Sequence, residues 1–291
     1  MEHAQIGIIG GSGFYHMKNI EDSHYIDVDT PYGKPSERIL IGKIKGKSFA
    51  FISRHGIGHR FNPSEVNYRA NLFALKLLGV QTLISIAAVG SLSEDVKPMD
   101  LVIWDQYYDT TFKREKTFFE NGIVAHVPMG DPTCRHLSAL ALEKAKALGL
   151  RVHHGGTLIN IEGPQFSCKG ESHVYRKLGF SIIGMTQVPE CKLARELEMC
   201  FLPLAFVTDY DCWHEEAEPV TVDIVIEYLN RNVESAGILL QEIIGDLDRI
   251  PTDCACNTAL QTSIMTNPQS IPVETYQRLR PVIDKYIKPQ E

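Results

Sequence analysis

Short, continuously apolar runs alternate along this chain with segments of helical period. That alternation restricts it to an α/β sheet with helices on both faces. The runs cover residues 5–9, 48–53, 81–89, 100–104, 157–161, 180–183 and 201–208. They lack the in–out alternation of a half-solvated strand, so they suit strands buried on both sides. Helices are predicted over 65–78 (capped from Asn62-Pro63-Ser64), 134–148, 189–199 (opened by Pro189 and Glu190) and 221–244. Residues 25–45 read as a β-meander turning at Pro31-Tyr32-Gly33 and Lys45-Gly46, and 107–122 as a loop. Pro203 places the start of the last run at a sheet edge or a strand start.

With 291 residues, 44% of them hydrophobic, the chain can bury a full core. The division expected is a main domain over 1–250 and an extension over 251–291, carrying Cys254-Ala255-Cys256 and a weaker helix over 273–287 that Pro281 interrupts. A net charge of −7 with scattered basic residues argues against a nucleic-acid surface. Seven cysteines, an odd number in a chain this long, are read as reduced thiols. No basic leader and no membrane-length apolar run is seen, so a soluble cytoplasmic protein is expected.

The polar residues with chemical potential follow the apolar runs, and ligands of open α/β sheets bind beyond the carboxyl ends of the strands. Six run ends carry such groups: Ser12; Arg54 and His55; Gly90-Ser91; Glu162 and Phe166; Met185 and Thr186; and Asp209 with Asp211. Gly10-Gly11-Ser12-Gly13 lacks both the Lys-Ser/Thr of a P-loop and the spacing of a dinucleotide fingerprint. His55 and His59 have the spacing of a helical metal pair, but two intervening glycines disfavour a helix. Ser12, Arg54, His55, Thr186 and the backbone near Gly90 read as anion donors; Phe166, Met185 and the Trp213 indole read as apolar or stacking surface. In an extended strand Asp209 and Asp211 would share a face, and two such carboxyls in apolar surroundings resist ionising together. They serve either as a turn capping the next helix or as the reader of an aminated heterocycle, and the company of the other run ends favours the second. Together the groups describe a site for phosphate, a sugar and a purine.

Six motifs carry a resemblance to the 5′-methylthioadenosine phosphorylases, the adenine-specific branch of the trimeric purine nucleoside phosphorylases. They are Gly-Gly-Ser-Gly at 10–13, Arg-His-Gly at 54–56, Asn-Tyr-Arg-Ala-Asn at 67–71, Ile-Glu-Gly-Pro-Gln-Phe-Ser at 161–167, Met-Thr-Gln-Val-Pro-Glu at 185–190 and Thr-Asp-Tyr-Asp-Cys-Trp at 208–213. The resemblance covers about residues 5–248, and the Cys-x-Cys of the extension is similar to one in archaeal members. It implies a single domain on a mixed, partly barrel-like sheet flanked by helices. It also implies a homotrimer or a dimer of trimers, with sites at subunit interfaces. The implied reaction is phosphorolysis of methylthioadenosine to adenine and 5-methylthioribose 1-phosphate, in purine and methionine salvage, with no metal and no organic cofactor. By motif position, Ser12, Arg54, His55, Thr186 and the Ala88 N–H resemble the phosphate contacts, and Met185 a ribose contact. Phe166 resembles the residue facing the purine, Val225 and Leu229 the 5′-methylthio pocket, and His126 the residue lent by a neighbouring subunit.

The chemistry follows from the residue types. Cleaving an N-glycosidic bond leaves an oxocarbenium-like ribose and a purine anion; a protonated Asp209 delivering its proton toward N7 neutralises that leaving group. Asp211 accepts from the 6-amino group, which disfavours a 6-oxopurine. Gln165 and Gly184 depart from the Arg and Asn of some relatives, whereas Ser12 keeps the hydroxyl of a Thr. The competing readings are a 6-oxopurine or methylthioinosine phosphorylase, a hydrolytic nucleosidase, a dinucleotide-dependent oxidoreductase and a non-catalytic purine binder. Cys254 and Cys256 are read as reduced and exposed, with a Cys-x-Cys disulfide as the alternative.

Overall fold

The computed structural model describes residues 2–11, 19–214, 222–251 and 253–287, the side chains of 222–225, 229 and 230 excepted. In chain order the strands are β1 (Ile6–Gly10), β2 (Glu21–Ile26), β3 (Ile39–Ile44), β4 (Lys47–Ser53), β5 (Thr82–Ser91), β6 (Leu101–Ile103), β7 (Gln106–Asp109), β8 (Val152–His154), β9 (Thr157–Asn160), β10 (Ile182–Gly184) and β11 (Cys200–Asp209). The helices are α1 (Tyr68–Leu77), α2 (Arg135–Ala147), α3 (Lys169–Lys177), α4 (Gln187–Glu196), α5 (Val222–Gly245) and α6 (Val273–Ile283).

One mixed sheet joins all the strands, and β5 is its centre. Parallel neighbours β1 and β11 flank β5, while its last residues, Gly90 and Ser91, pair antiparallel with β10. On the far side of β1, the order continues through β4, β3 and β2. β6 leads into β7 and β8 into β9 after two residues each, and β6 pairs β8 while β7 pairs β9. The two form a bent parallel ribbon whose corner includes Gly155 and Gly156, at φ +93° and +103°, a region that excludes most side chains. Since β11 pairs β6 and β9 pairs β10, the sequence β5–β11–ribbon–β10–β5 closes a small ring. This ring is the barrel-like part expected from sequence.

Every residue of β1 is buried, as are nine of the ten in β11, which accounts for their unbroken apolar composition. One core lies beneath α1, α4 and α6 and includes Leu72, Phe73, Leu193 and Leu279. The other, beneath α2 and α5, includes Leu137, Leu140, Leu239 and Leu240. Residues 251–287 are thus not a detached appendage: Tyr276, Leu279, Val282 and Ile283 of α6 belong to the first core.

Several elements differ from the sequence expectations. α1 begins at Tyr68, with the Asn67 side chain accepting from the Ala70 N–H at 3.0 Å, whereas Asn62 closes a separate turn by accepting from Ser64 N. The first residues of the expected 107–122 loop form β7, and β8 and α3 were unforeseen. Pro203 lies inside β11, where only β5 is a partner; β6 joins two residues later, at Ala205. The missing N–H therefore faces the unpaired side. Val188 (φ −116°, ψ 121°) breaks the geometry of α4, so regular turns start at Pro189, as the sequence predicts.

Candidate active site

A cavity of about 790 Å³ opens at the carboxyl ends of β4, β5, β10 and β11, and most of the expected residues that are described line it. Arg54, His55, Ala88, Met185, Thr186, Asp209, Asp211 and Phe166 all line it, and along β5 the bond from Arg54 to Ile86 O and the pairing of Asp209 with Gly90 lie four residues apart. Ser12 lies outside the described residues. Val225 and Leu229 lie on α5, but their side chains are outside the described set. The α5 residues seen on the wall are Ile226, Asn232, Val233 and Ala236. His126 is exposed and does not line this chain's cavity; its N–H donates to Ser263 O at 2.8 Å.

Arg54 follows β4 directly and is only 2% exposed. Its Nε donates to Glu190 Oε1 at 2.5 Å and its Nη2 to Glu190 Oε2 at 3.0 Å. Nη2 also reaches Ser85 Oγ at 3.1 Å, and Nη1 reaches Ile86 O at 2.9 Å. A guanidinium has five N–H groups, and these bonds use four. Arg54, read from sequence as an anion donor, is thus half of a buried ion pair with one N–H to spare.

The same reading of His55 is corrected. Its Nδ1 lies 2.8 Å from Phe61 O, and a carbonyl only accepts, so that nitrogen carries the proton. Burial, with the nearby Arg54 charge, pushes its pKa down to about 3, so the ring is neutral. Its Nε2 is consequently an acceptor rather than an anion donor. The ring stacks on His59 at 4.2 Å between centroids. The Thr186 hydroxyl makes no capping bond, and the residue precedes the regular start of α4 by three positions.

β11 stops at Asp209, so strand alternation does not align the two acids. A turn does this instead: Asp211 sits at φ +52° and its N–H donates to Asp209 Oδ1 at 2.8 Å. The two acids thus make a turn and line the cavity at once, while the helix that follows begins only at Val222. Asp209 Oδ2 accepts from Thr208 Oγ1 at 2.8 Å. Burial raises the pKa of Asp209, and burial, reinforced by the Asp209 charge, pushes Asp211 up to about 6. Asp211 Oδ2 is buried without a hydrogen-bond partner among the described residues. A Cβ at Gly90 would lie 3.0 Å from Asp209 Oδ1, so a glycine there leaves the carboxyl its place.

The Trp213 indole is not part of the wall. It belongs to a small core with Ile183 and Leu92, its Nε1 donates to Ser91 O at 2.7 Å, and Arg176 covers its ring. Phe166 is 48% exposed at the cavity. Arg114, hidden in the presumed loop, was missed. It is buried and donates to Glu162 O at 2.7 Å, to Val188 O at 3.1 Å and to Met185 O, tying together the loops that carry Met185 and Phe166. Glu162 fixes the same region by accepting from Ser64 Oγ and from Phe112 N at 2.7 Å.

The surroundings of Arg54 and of Asp209 are both bonded to β5. Ser85 and Ile86 hold Arg54, and Ser85 also holds Glu190 and Gln187. Val89 O accepts from Thr208 Oγ1, and Ser91 O from Trp213, on either side of Asp209.

A family model described as the phosphorylase superfamily matches residues 5–245. The chain is 46% identical to the S-methyl-5′-thioadenosine phosphorylase of Koribacter versatilis, covering 99% of this chain and 98% of that one. It is 48% identical to the one of Hyperthermus butylicus, covering 90% and 96%. A methylthioadenosine phosphorylase sourced from an Antarctic soil metagenomic library has a crystal structure similar at a TM-score of 0.92, with 42% identity and coverage of 97% and 99%. The chain therefore belongs to the phosphorylase superfamily, among the S-methyl-5′-thioadenosine phosphorylases.

Proposed function

We propose that this protein phosphorolyses S-methyl-5′-thioadenosine to adenine and 5-methylthioribose 1-phosphate. The observation that carries this reading is one cavity lined both by Asp209 and Asp211, two carboxyls whose pKa values burial raises, and by Arg54, Ala88 and Thr186, whose N–H and O–H groups can donate to an anion. Asp209 gives its proton toward purine N7, and Asp211 accepts from the 6-amino group; the two titrate as a pair. Phosphate attacks the anomeric carbon from the far side, oriented by the remaining Arg54 N–H, the Thr186 and Ser12 hydroxyls and the Ala88 backbone. His55 Nε2 accepts the O–H of monoprotonated phosphate, which turns an oxygen without that proton toward the sugar. Positioning supplies most of the catalysis, and inorganic phosphate is the co-substrate.

Met185 and Phe166 contact ribose and purine, and Val225 and Leu229 receive the methylthio group. The assembly is a homotrimer, or a dimer of trimers, in which His126 completes a neighbour's cavity. Its surroundings support this: exposed Val124 (48%) and Met265 (68%) are joined by a backbone bond of 2.9 Å beside it, an apolar surface suited to another subunit. The test is to incubate the protein with methylthioadenosine, with and without phosphate, and follow adenine. Release that needs phosphate is expected; release without phosphate, or none, would sink the reading.

A further inference from the structure

Four of the seven thiols converge away from the cavity. Cys134 caps α2, Cys200 opens β11, and Cys254 and Cys256 flank Ala255 in the extension. All four are buried, and all four sulfurs lie within 4.8 Å of one another. The expectation of an exposed Cys-x-Cys pair is thereby corrected. Backbone bonds hold two of the segments in place: Cys134 N donates to Phe201 O and Cys200 N to Gln81 O, each at 2.8 Å.

The separation is informative. Cys134 Sγ and Cys254 Sγ are 3.7 Å apart. Bonded sulfurs would be about 2.05 Å apart. The edge of a tetrahedron with zinc–sulfur bonds of about 2.3 Å is about 3.8 Å. A second observation concerns charge. The Arg195 guanidinium, 8% exposed, points Nη1 at Cys256 Sγ from 3.8 Å, and among the described residues no carboxylate forms a salt bridge with it. Its Nη2 donates to the Asp131 carbonyl, but neither that carbonyl nor four neutral thiols neutralises its charge. A tetrathiolate around a divalent ion carries two net negative charges and does.

We propose that Cys134, Cys200, Cys254 and Cys256 bind one structural zinc ion. Binding displaces up to four thiol protons and involves no oxidation. The ion clasps the extension to the main body, and the same extension forms the backbone bond to His126 through Ser263. Its role is in folding, so the absence of a metal from the proposed reaction is unaffected.

The experiment uses the full chain purified without chelator from zinc-supplemented cells. Elemental mass spectrometry should find about one zinc per chain, falling at least about tenfold in the Cys254→Ser/Cys256→Ser variant. Unreduced intact mass under denaturing conditions should equal that of the chain with every thiol free. So that poor folding of the variant does not decide the outcome, the parent alone supplies a second measurement. Exchange with Co²⁺ should give the visible absorption of a tetrahedral thiolate site. Disulfides in the unreduced mass, a metal-free parent that takes up neither Zn²⁺ nor Co²⁺, or full zinc retention in the variant would each overturn the proposal. None of these readouts depends on catalysis, so they are separable from the phosphorolysis assay.

Discussion

Replacing Glu190 with Gln isolates the buried ion pair behind the phosphate end. Glu190 is wholly buried and Arg54 nearly so, and the carboxylate takes two of the four committed guanidinium bonds. Removing one partner of such a pair leaves a charge without compensation, at a cost of about 3–5 kcal/mol. For a chain of this size, about 2–4 °C of melting temperature corresponds to each kcal/mol, so Glu190→Gln should melt roughly 6–20 °C lower. On the proposed reading, the anion that the freed Arg54 charge then faces is the phosphate. Saturating phosphate at about 100 times its Kd stabilises a folded protein by about 2.7 kcal/mol, and a tighter complex gains more at the same concentration. Thermal unfolding of parent and variant, with and without phosphate, should show a larger phosphate-induced rise in the variant. Melting within about 2 °C of the parent would refute the energetic argument. An equal phosphate response in both would show that the Arg54 charge does not face the anion.

Asp209→Asn should lower kcat by about 10²–10⁴-fold while leaving the KM for phosphate near the parent value; steady-state kinetics with both substrates checks this, and full turnover would remove the acid role. Glu196 is pushed up to about 7 by burial, although Phe118 N and Thr117 Oγ1 both donate to it. The folded state therefore holds a proton that the unfolded chain releases near 4.5, and stability falls as pH rises through that window, by at most about 3 kcal/mol. Glu196→Gln should gain on the parent in melting temperature between pH 5 and pH 8, and a constant difference across that range would contradict the assignment.

The central strands were legible because burial on both faces demands continuous apolar sequence, and β1, β4, β5 and β11 supply it. α3 was not legible, since Ser172 is its only buried residue and no apolar stripe marks it. β8, Val-His-His, is too short to declare itself. The site residues could be gathered from strand ends, but not their partners. Arg54 reads as a free cation until the fold brings Glu190, 136 positions away, against it. His55 reads as a donor until Phe61 O claims its proton. Trp213 sits beside two acids in sequence, yet its indole turns inward to satisfy its N–H on Ser91. Likewise, Cys-x-Cys displays two thiols, whereas Cys134 and Cys200 arrive from separate elements.

The shared attachment to β5 has a kinetic meaning. Ile86, which holds Arg54, and Gly90, the register partner of Asp209, are four apart on one strand, about 13 Å of extended chain. A breathing motion that shifts or tilts β5 carries the phosphate anchors and the acid in the same direction, so their spacing is preserved while the cavity as a whole moves. The α5 wall is tied to this unit at Val207, whose carbonyl accepts from Asn232 Nδ2 at 3.4 Å, and the turns of α5 that carry Ile226 lie before that tie. Thermal motion should therefore blur the fit of the substrate's 5′ end long before it disturbs the alignment of phosphate, sugar and base.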